Sequence, residues 1–311
     1  MSTLLLPAAP TLLVVAGPTA VGKTALCVHL AQQYQTEIVS ADSRQFFREL
    51  SIGTAKPTPE EMQGVPHHFI NSHSISEEYN AGRFEEEALS VLAELFQRHR
   101  VVILTGGSGL YLQAVTEGLD EMPATNPEIR AALQSELQDL GLETLVAELA
   151  RLDPVTYARI DRQNPQRVVR ALEVTRSTGQ PFSSFHARKS EVERPFHTVK
   201  VVLNREREEL YQRIDLRVDQ MIEAGLLEEV KGLLPYRHHN ALQTVGYKEL
   251  FDYLDGLQDW PETVRLLKRN TRHYAKRQLT WFRRDPAYTW LHPEQTENQV
   301  PNLLSRLDNN G

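Results

Sequence analysis

Residues 11–24 read Thr11-Leu12-Leu13-Val14-Val15-Ala16-Gly17-Pro18-Thr19-Ala20-Val21-Gly22-Lys23-Thr24. An apolar run of strand length leads into G-x-x-x-x-G-K-[ST], and residues 23–34 carry a helical pattern, so the motif has the strand before it and the helix after it that it requires. Glycine lets the backbone curl until successive N–H groups face phosphate oxygens, and the helix N-terminus adds partial positive charge. Lys23 supplies a point charge and Thr24 a hydroxyl ligand for Mg2+. Gly17, Pro18, Thr19, Ala20, Val21, Gly22, Lys23 and Thr24 are therefore the expected cradle for a di- or triphosphate.

Outward from this loop, apolar runs alternate with helical patterns as in a parallel α/β sheet. Residues 37–40 and 101–105 read as strands and 83–99 as an amphipathic helix. From about Gly118 the character changes, and Pro123, Pro127, Pro154 and Pro165 punctuate segments of helical period such as 128–140 and 167–178. The strand pattern resumes at 198–203, and 206–234 reads as one long helix. Asp259-Trp260-Pro261-Glu262 starts another helix, on which Val264, Leu267, Thr271, Tyr274, Gln278 and Trp281 share one face. The polar tail from His292 is expected to be peripheral. The expected architecture is a P-loop NTPase-like parallel sheet flanked by helices, built from residues 1–117 and 199–311 and split by a mostly helical insertion at 118–198.

Composition narrows the class. In 311 residues, 41% hydrophobic and 24% charged content excludes wholesale disorder and fibrous repeats. The apolar start lacks a positive leader and is broken by Pro7 and Pro10, and no run of about 18 apolar residues follows. The single cysteine, Cys27, excludes an internal disulfide and a cysteine-based zinc site, while His67-His68 and His238-His239 lack metal-ligand spacing. A cytoplasmic chain with no membrane partner is expected. Net charge is −7, yet Arg265 to Arg284 holds eight basic residues and no acidic one, and residues 155–189 hold seven basic against two acidic. Two basic patches on an acidic body point to a localised polyanion site.

In an ordinary P-loop NTPase a later strand ends in an acid that holds the metal. Here 101–105 ends in Gly106-Gly107-Ser108, and the acid follows the second strand instead, in Ser40-Ala41-Asp42-Ser43. Ligands of open α/β sheets sit outside the carboxyl ends of the strands, so Asp42, Ser108 and the cradle are expected to meet in one crevice. Asp42 there either helps to bind Mg2+, accepts a proton from a nucleophile, or caps a turn. The P-loop alone fits a kinase of a nucleotide or small metabolite equally well, and the basic helix alone fits a non-catalytic tRNA-binding protein.

The ordered set of the P-loop, Asp42-Ser43-Arg44-Gln45, Ile52-Gly53-Thr54-Ala55-Lys56-Pro57, Pro66-His67-His68, Gly106-Gly107-Ser108-Gly109-Leu110-Tyr111, Asn164-Pro165-Gln166-Arg167, Val245-Gly246-Tyr247 and Lys276-Arg277-Gln278-Leu279-Thr280-Trp281 resembles the bacterial tRNA dimethylallyltransferases, also called tRNA isopentenyltransferases. The resemblance implies transfer of a dimethylallyl group from dimethylallyl diphosphate to the exocyclic amine of the adenosine 3′ of the anticodon, with release of diphosphate. It implies a catalytic set of Asp42, Arg217, Lys23, Thr24 and Ser108, in which Asp42 takes the amine proton and Arg217 joins Lys23 and Mg2+ on the leaving group. The anticodon stem-loop is expected on Asp42, Ser43, Arg44, Gln45, Ser108, Arg130, Gln166, Arg167, Arg170, Gly246, Tyr247, Lys276, Arg277, Gln278, Trp281 and Arg283, in a monomeric enzyme. The spacing of Tyr274 and Trp281 places both rings toward the core, leaving the RNA contacts to the basic face of that helix. Ser108, Phe47 and Asn71 depart from the family's usual Thr, Tyr and Asp.

Overall fold

The computed structural model describes residues 7–120, 122–124, 126–185 and 193–305, with 297 and 298 as backbone only. The chain divides into two units, Met1–Glu117 with Arg194–Gly311, and Gly118–Glu193. The first begins β1 (Thr11–Ala16), α1 (Lys23–Tyr34), β2 (Ile38–Ser40), α2 (Pro59–Met62), β3 (His67–His68), α3 (Ala81–Leu95), β4 (Val101–Gly106) and α4 (Gly109–Glu117). The second holds α5 (Pro127–Leu140), α6 (Leu142–Leu152), α7 (Pro154–Arg159) and α8 (Pro165–Thr178). The first then resumes with β5 (His197–Leu203), α9 (Arg207–Glu223), α10 (Leu226–Gly232), α11 (Tyr247–Leu254), α12 (Trp260–Phe282), β6 (Thr289–Leu291) and α13 (Pro293–Ser305).

The six strands form one sheet in the order β3-β2-β4-β1-β5-β6, with every pairing parallel. β1 lies at its centre and is buried on both faces, which is why it reads as a continuous apolar run rather than an alternation. Leu12, Val14 and Ala16 pack into one core with Phe46, Phe84, Leu92, Leu250 and Phe282. Leu13 and Val15 pack into the other with Leu30 of α1, Ile214 of α9 and Val300 of α13. Register sets Ala16 beside Gly106 and Val202, and Ser40 beside Thr105, so the loops after β1, β2 and β4 leave the sheet at the same edge.

In the second unit three helices begin alike. Asn126, Asp153 and Asn164 each cap with a side-chain oxygen and are each followed by proline at the first helical position. Leu133, Leu145, Leu149, Val168 and Leu172 form its core.

Three expectations need correction. The single helix expected over 206–234 is two, because Gly225 takes φ 97° and ends one helix while starting the next. The tail is not peripheral: α13 buries Thr296, Val300 and Leu304, one turn apart, in the core beside α1. The helical unit also stops short of 198, since His197 and Thr198 already pair with Thr11 and Leu12 of β1.

Candidate active site

A cavity of about 330 Å3 opens at the carboxyl edge of the sheet, between the P-loop, Asp42, the 53–57 turn, α9 and α12. Gly22 takes φ 109° at the N-cap of α1, a conformation that L side chains rarely adopt, and so turns the loop into the helix. Lys23 folds back along the loop, and its Nζ donates to Gly17 O at 3.0 Å and Pro18 O at 2.8 Å. Burial pushes its pKa down to about 8, with Asp42 opposing and Arg217 reinforcing the shift. An anion in the cradle would oppose this shift by stabilising the ammonium. Thr24 lines the same cavity, with no hydrogen-bond partner for its hydroxyl among the described residues.

Two arginines from one helix face the loop. Arg213 Nε donates to Ala20 O at 2.8 Å, and Arg217, one turn further along α9, lines the cavity without a hydrogen bond or ion pair among the described residues. Burial lowers the pKa of Arg217, with Glu61 opposing and Arg213 adding to the effect. Arg205 Nε holds Val21 O at 2.9 Å from just before the same helix. Sequence reading named only Arg217. The i,i+4 spacing of Arg213 to it was the available signal for the second.

Asp42 closes a turn after β2. Its Oδ1 accepts the N–H groups of Arg44 at 3.0 Å and Gln45 at 3.4 Å, and its Oδ2 has no partner among the described residues. The turn-capping and chemical readings of this residue are thus compatible, since each uses a different oxygen. Ser108 lies one step back from the cavity: its Oγ accepts Ser43 N–H at 3.0 Å and donates to Ser43 Oγ at 3.1 Å, pinning the loop after β4 to the one after β2. Arg44 also lines the cavity.

The residues expected to meet tRNA fall into groups. Lys276, Arg277 and Arg283 are exposed on or beside α12, Gln166 and Arg167 are exposed at the start of α8, and Gly246 forms part of the cavity wall. Five others make contacts within the protein. Tyr247 is fully buried, with its hydroxyl donating to Glu229 at 2.8 Å. Gln278 is 7% exposed, and its amide accepts Thr19 N–H and donates to Gly107 O. Trp281 is half-buried with its indole on the α-carbon of Gly109, where a Cβ would overlap the ring. Arg130 and Arg170 both bind Glu173 Oε2 at 3.0 Å, neutralising a carboxylate with no solvent exposure. Tyr274 departs the other way: assigned to the core, it lines the cavity, and burial together with Asp42 pushes its phenol up to about 12.

The departures from the family pattern are locally accommodated. Phe47 is 4% exposed and packs edge-on to Phe46, so no hydroxyl is missed. Asn71 Oδ1 accepts Lys56 Nζ at 2.6 Å.

The family model for IPP transferases matches residues 45–285. A tRNA dimethylallyltransferase of Cytophaga hutchinsonii is 56% identical over 90% of this chain and 92% of that protein. The tRNA dimethylallyltransferase 2 of Porphyromonas gingivalis is 51% identical over 95% of this chain and 98% of its own length. Among solved structures, the full-length tRNA isopentenylpyrophosphate transferase of Bacillus halodurans superposes with a TM-score of 0.70 at 38% identity, covering 95% of this chain and 97% of that one. A eukaryotic dimethylallyltransferase acting on tRNA gives 0.73 at 30% identity, over 88% of this chain and 70% of that one. With a matching model across most of its length and near full-length relatives at such identity, the chain belongs to the IPP transferase family.

Proposed function

We infer that this chain is a prenyltransferase that modifies tRNA, moving a dimethylallyl group from dimethylallyl diphosphate to the exocyclic amine of the adenosine 3′ of the anticodon. The observation that carries the reading is the pairing, in one cavity, of a cationic cradle, Lys23 with Arg217, with a carboxylate oxygen left free among the described residues, Asp42 Oδ2. A kinase fits less well, because β4 runs into Gly107-Ser108 with no carboxylate before Glu117.

In the proposed reaction the allylic C1–O bond breaks and its electron pair leaves with the diphosphate. The loop N–H groups, Lys23 and Arg217 neutralise the charge that develops there. The amine nitrogen forms the new bond to C1, and its proton passes to Asp42 Oδ2, while Oδ1 stays bonded to the N–H groups of Arg44 and Gln45 and keeps the carboxylate aimed. Val218, Met221, Leu226 and Leu267 supply the apolar part of the cavity wall for the prenyl chain. A base reaches this carboxylate only if it leaves the anticodon-loop stack, as bases do for enzymes that act on them. Exposed Lys276, Arg277 and Arg283, with Gln166 and Arg167, provide phosphate and base contacts to the stem-loop.

Mg2+ fits the unpartnered Thr24 hydroxyl in a cavity that Asp42 also lines, because this ion keeps several waters and needs only one or two protein oxygens. When bound it adds positive charge to the departing diphosphate. Among the described residues no helix is long and apolar enough to cross a membrane, and a tRNA substrate supports a cytoplasmic location.

Incubating the purified chain with unmodified tRNA, Mg2+ and labelled dimethylallyl diphosphate tests the reading. Label is expected on one adenosine of the anticodon loop. ATP turnover without incorporation would favour the kinase.

A further inference from the structure

Glu229, on α10, lies outside every motif that marks the family, yet four donors converge on its carboxylate. Oε2 accepts the backbone N–H groups of Ser51 at 3.1 Å and Ile52 at 2.7 Å, and Oε1 accepts Gly53 N–H at 3.0 Å and the Tyr247 phenol at 2.8 Å. Three successive N–H groups directed at one anion form the concavity that backbone turns offer to phosphates and carboxylates. An ionised carboxylate alone among side chains has two oxygens to take all four bonds. The contact is close as well as polar, since a Cβ on Gly53 would lie 2.6 Å from the Tyr247 hydroxyl.

The turn held in this way continues into the cavity wall. The carbonyls of Thr54 and Ala55 accept Gln45 Nε2 at 3.1 and 3.2 Å. The N–H of Gln45, with that of Arg44, bonds Asp42 Oδ1. Gly53, Thr54, Ala55, Gln45 and Asp42 all line the cavity. The bonds within the turn itself, such as Ala55 N–H to Ile52 O at 2.9 Å, move with it and do not fix it in place.

We propose that Glu229 is a positioning residue for prenyl transfer: through the 51–55 turn and Gln45 it sets the orientation of the Asp42 carboxylate and of the wall against which the acceptor base is presented. The proposal rests on the reading of Asp42 as the proton acceptor. It places the effect of Glu229 on the step at the amine and not on the grip on diphosphate, which Lys23, Arg213 and Arg217 provide.

The test compares wild type, Glu229→Gln, Gln45→Ala and the double variant at varied tRNA and dimethylallyl diphosphate. Glutamine keeps the shape of the side chain but turns one oxygen into an NH2 group that cannot accept. The expected result is a kcat about tenfold lower, as a small misplacement of reacting groups produces, with KM for dimethylallyl diphosphate unchanged. The double variant is expected to be no slower than the slower single one, because both substitutions cut the same relay. A lower melting temperature with wild-type kcat, or losses that multiply in the double variant, would overturn the proposal. Tyr247→Phe removes one of the four bonds and leaves the three N–H donors satisfied, so it repeats the test with less demand on the fold. It is expected to lower kcat in the same direction without compounding Gln45→Ala, and wild-type kcat would overturn the proposal again. A wild-type chain inactive on unmodified tRNA would instead overturn the functional reading beneath it.

Discussion

Gln278 Oε1 accepts the N–H of Thr19 at 2.9 Å, joining two residues 259 positions apart in the chain. Its Nε2 donates to Gly107 O at 3.0 Å, so one buried amide on α12 ties the P-loop to the loop after β4. A Cβ on Gly107 would overlap that amide, which is why the position is glycine. Gln278→Ala leaves the part-buried Thr19 N–H and the buried Gly107 carbonyl without this partner, at a cost of about 1–3 kcal/mol for the buried group. The urea midpoint is expected to fall and KM for dimethylallyl diphosphate to rise together. A shift in only one of them would mean that the amide does not couple the cradle to the fold.

Asp42 divides its two oxygens between the turn and the cavity, so Asp42→Asn separates their uses. An asparagine carbonyl can still accept from Arg44 and Gln45 but cannot take up a proton from the amine. Single-turnover transfer is expected to slow by about 10²–10⁴-fold, the range for loss of general-base assistance, while tRNA binding measured by filter retention stays near wild type. Wild-type turnover in Asp42→Asn would reduce Asp42 to a turn cap.

The places where sequence and structure agree share a physical reason. Residues 11–16 and 23–34 match their elements end for end because a fully buried central strand and a P-loop helix each leave an unbroken signature. β3 and β6 have two and three residues, too few to show any period, and were not expected. Gly225 looks like any helical glycine until its φ of 97° shows the break. In α13 the buried Thr296, Val300 and Leu304 stand one turn apart in an otherwise polar stretch, which reads as surface. The cradle and Asp42 were legible because motif and strand order place them at one sheet edge. Glu229 and the buried state of Tyr247 were not, because the bonds between Glu229 and the 51–53 turn span more than 170 residues and leave no local pattern.

Lys23 gives the site a pH dependence whose sign can be worked out. Burial lowers its pKa from 10.5 to about 8. Between those values the unfolded chain holds a proton that the folded one has released. The destabilisation from this lysine is therefore complete below about pH 8 and is relieved as pH rises toward 10.5. A diphosphate in the cradle reverses the balance by stabilising the ammonium. Binding of an unreactive prenyl diphosphate analogue is expected to take up a proton at pH 9 and none at pH 7, and to weaken as pH rises through 8. Calorimetry in buffers of different ionisation enthalpy measures the uptake, and Lys23→Met should abolish it. Equal uptake in that variant would assign the proton to Lys56, whose pKa burial also lowers to about 8.

The exposed basic residues and the paired ones should separate in salt. Lys276 and Arg283 are exposed, whereas Lys268 and Arg272 are paired with Asp219 and Asp215, and Arg130 with Glu173. Each phosphate contact contributes about one unit to the slope of log affinity against log salt. Lys276→Ala and Arg283→Ala are therefore each expected to weaken tRNA binding and to flatten that slope by about one unit. Arg130→Ala should leave the slope alone and lower the unfolding midpoint of the helical unit instead, since Glu173, with no solvent exposure, keeps only Arg170 as a partner. A flattened slope in Arg130→Ala, with the midpoint unmoved, would return that residue to the RNA-binding set and show that its bond to Glu173 opens when tRNA arrives.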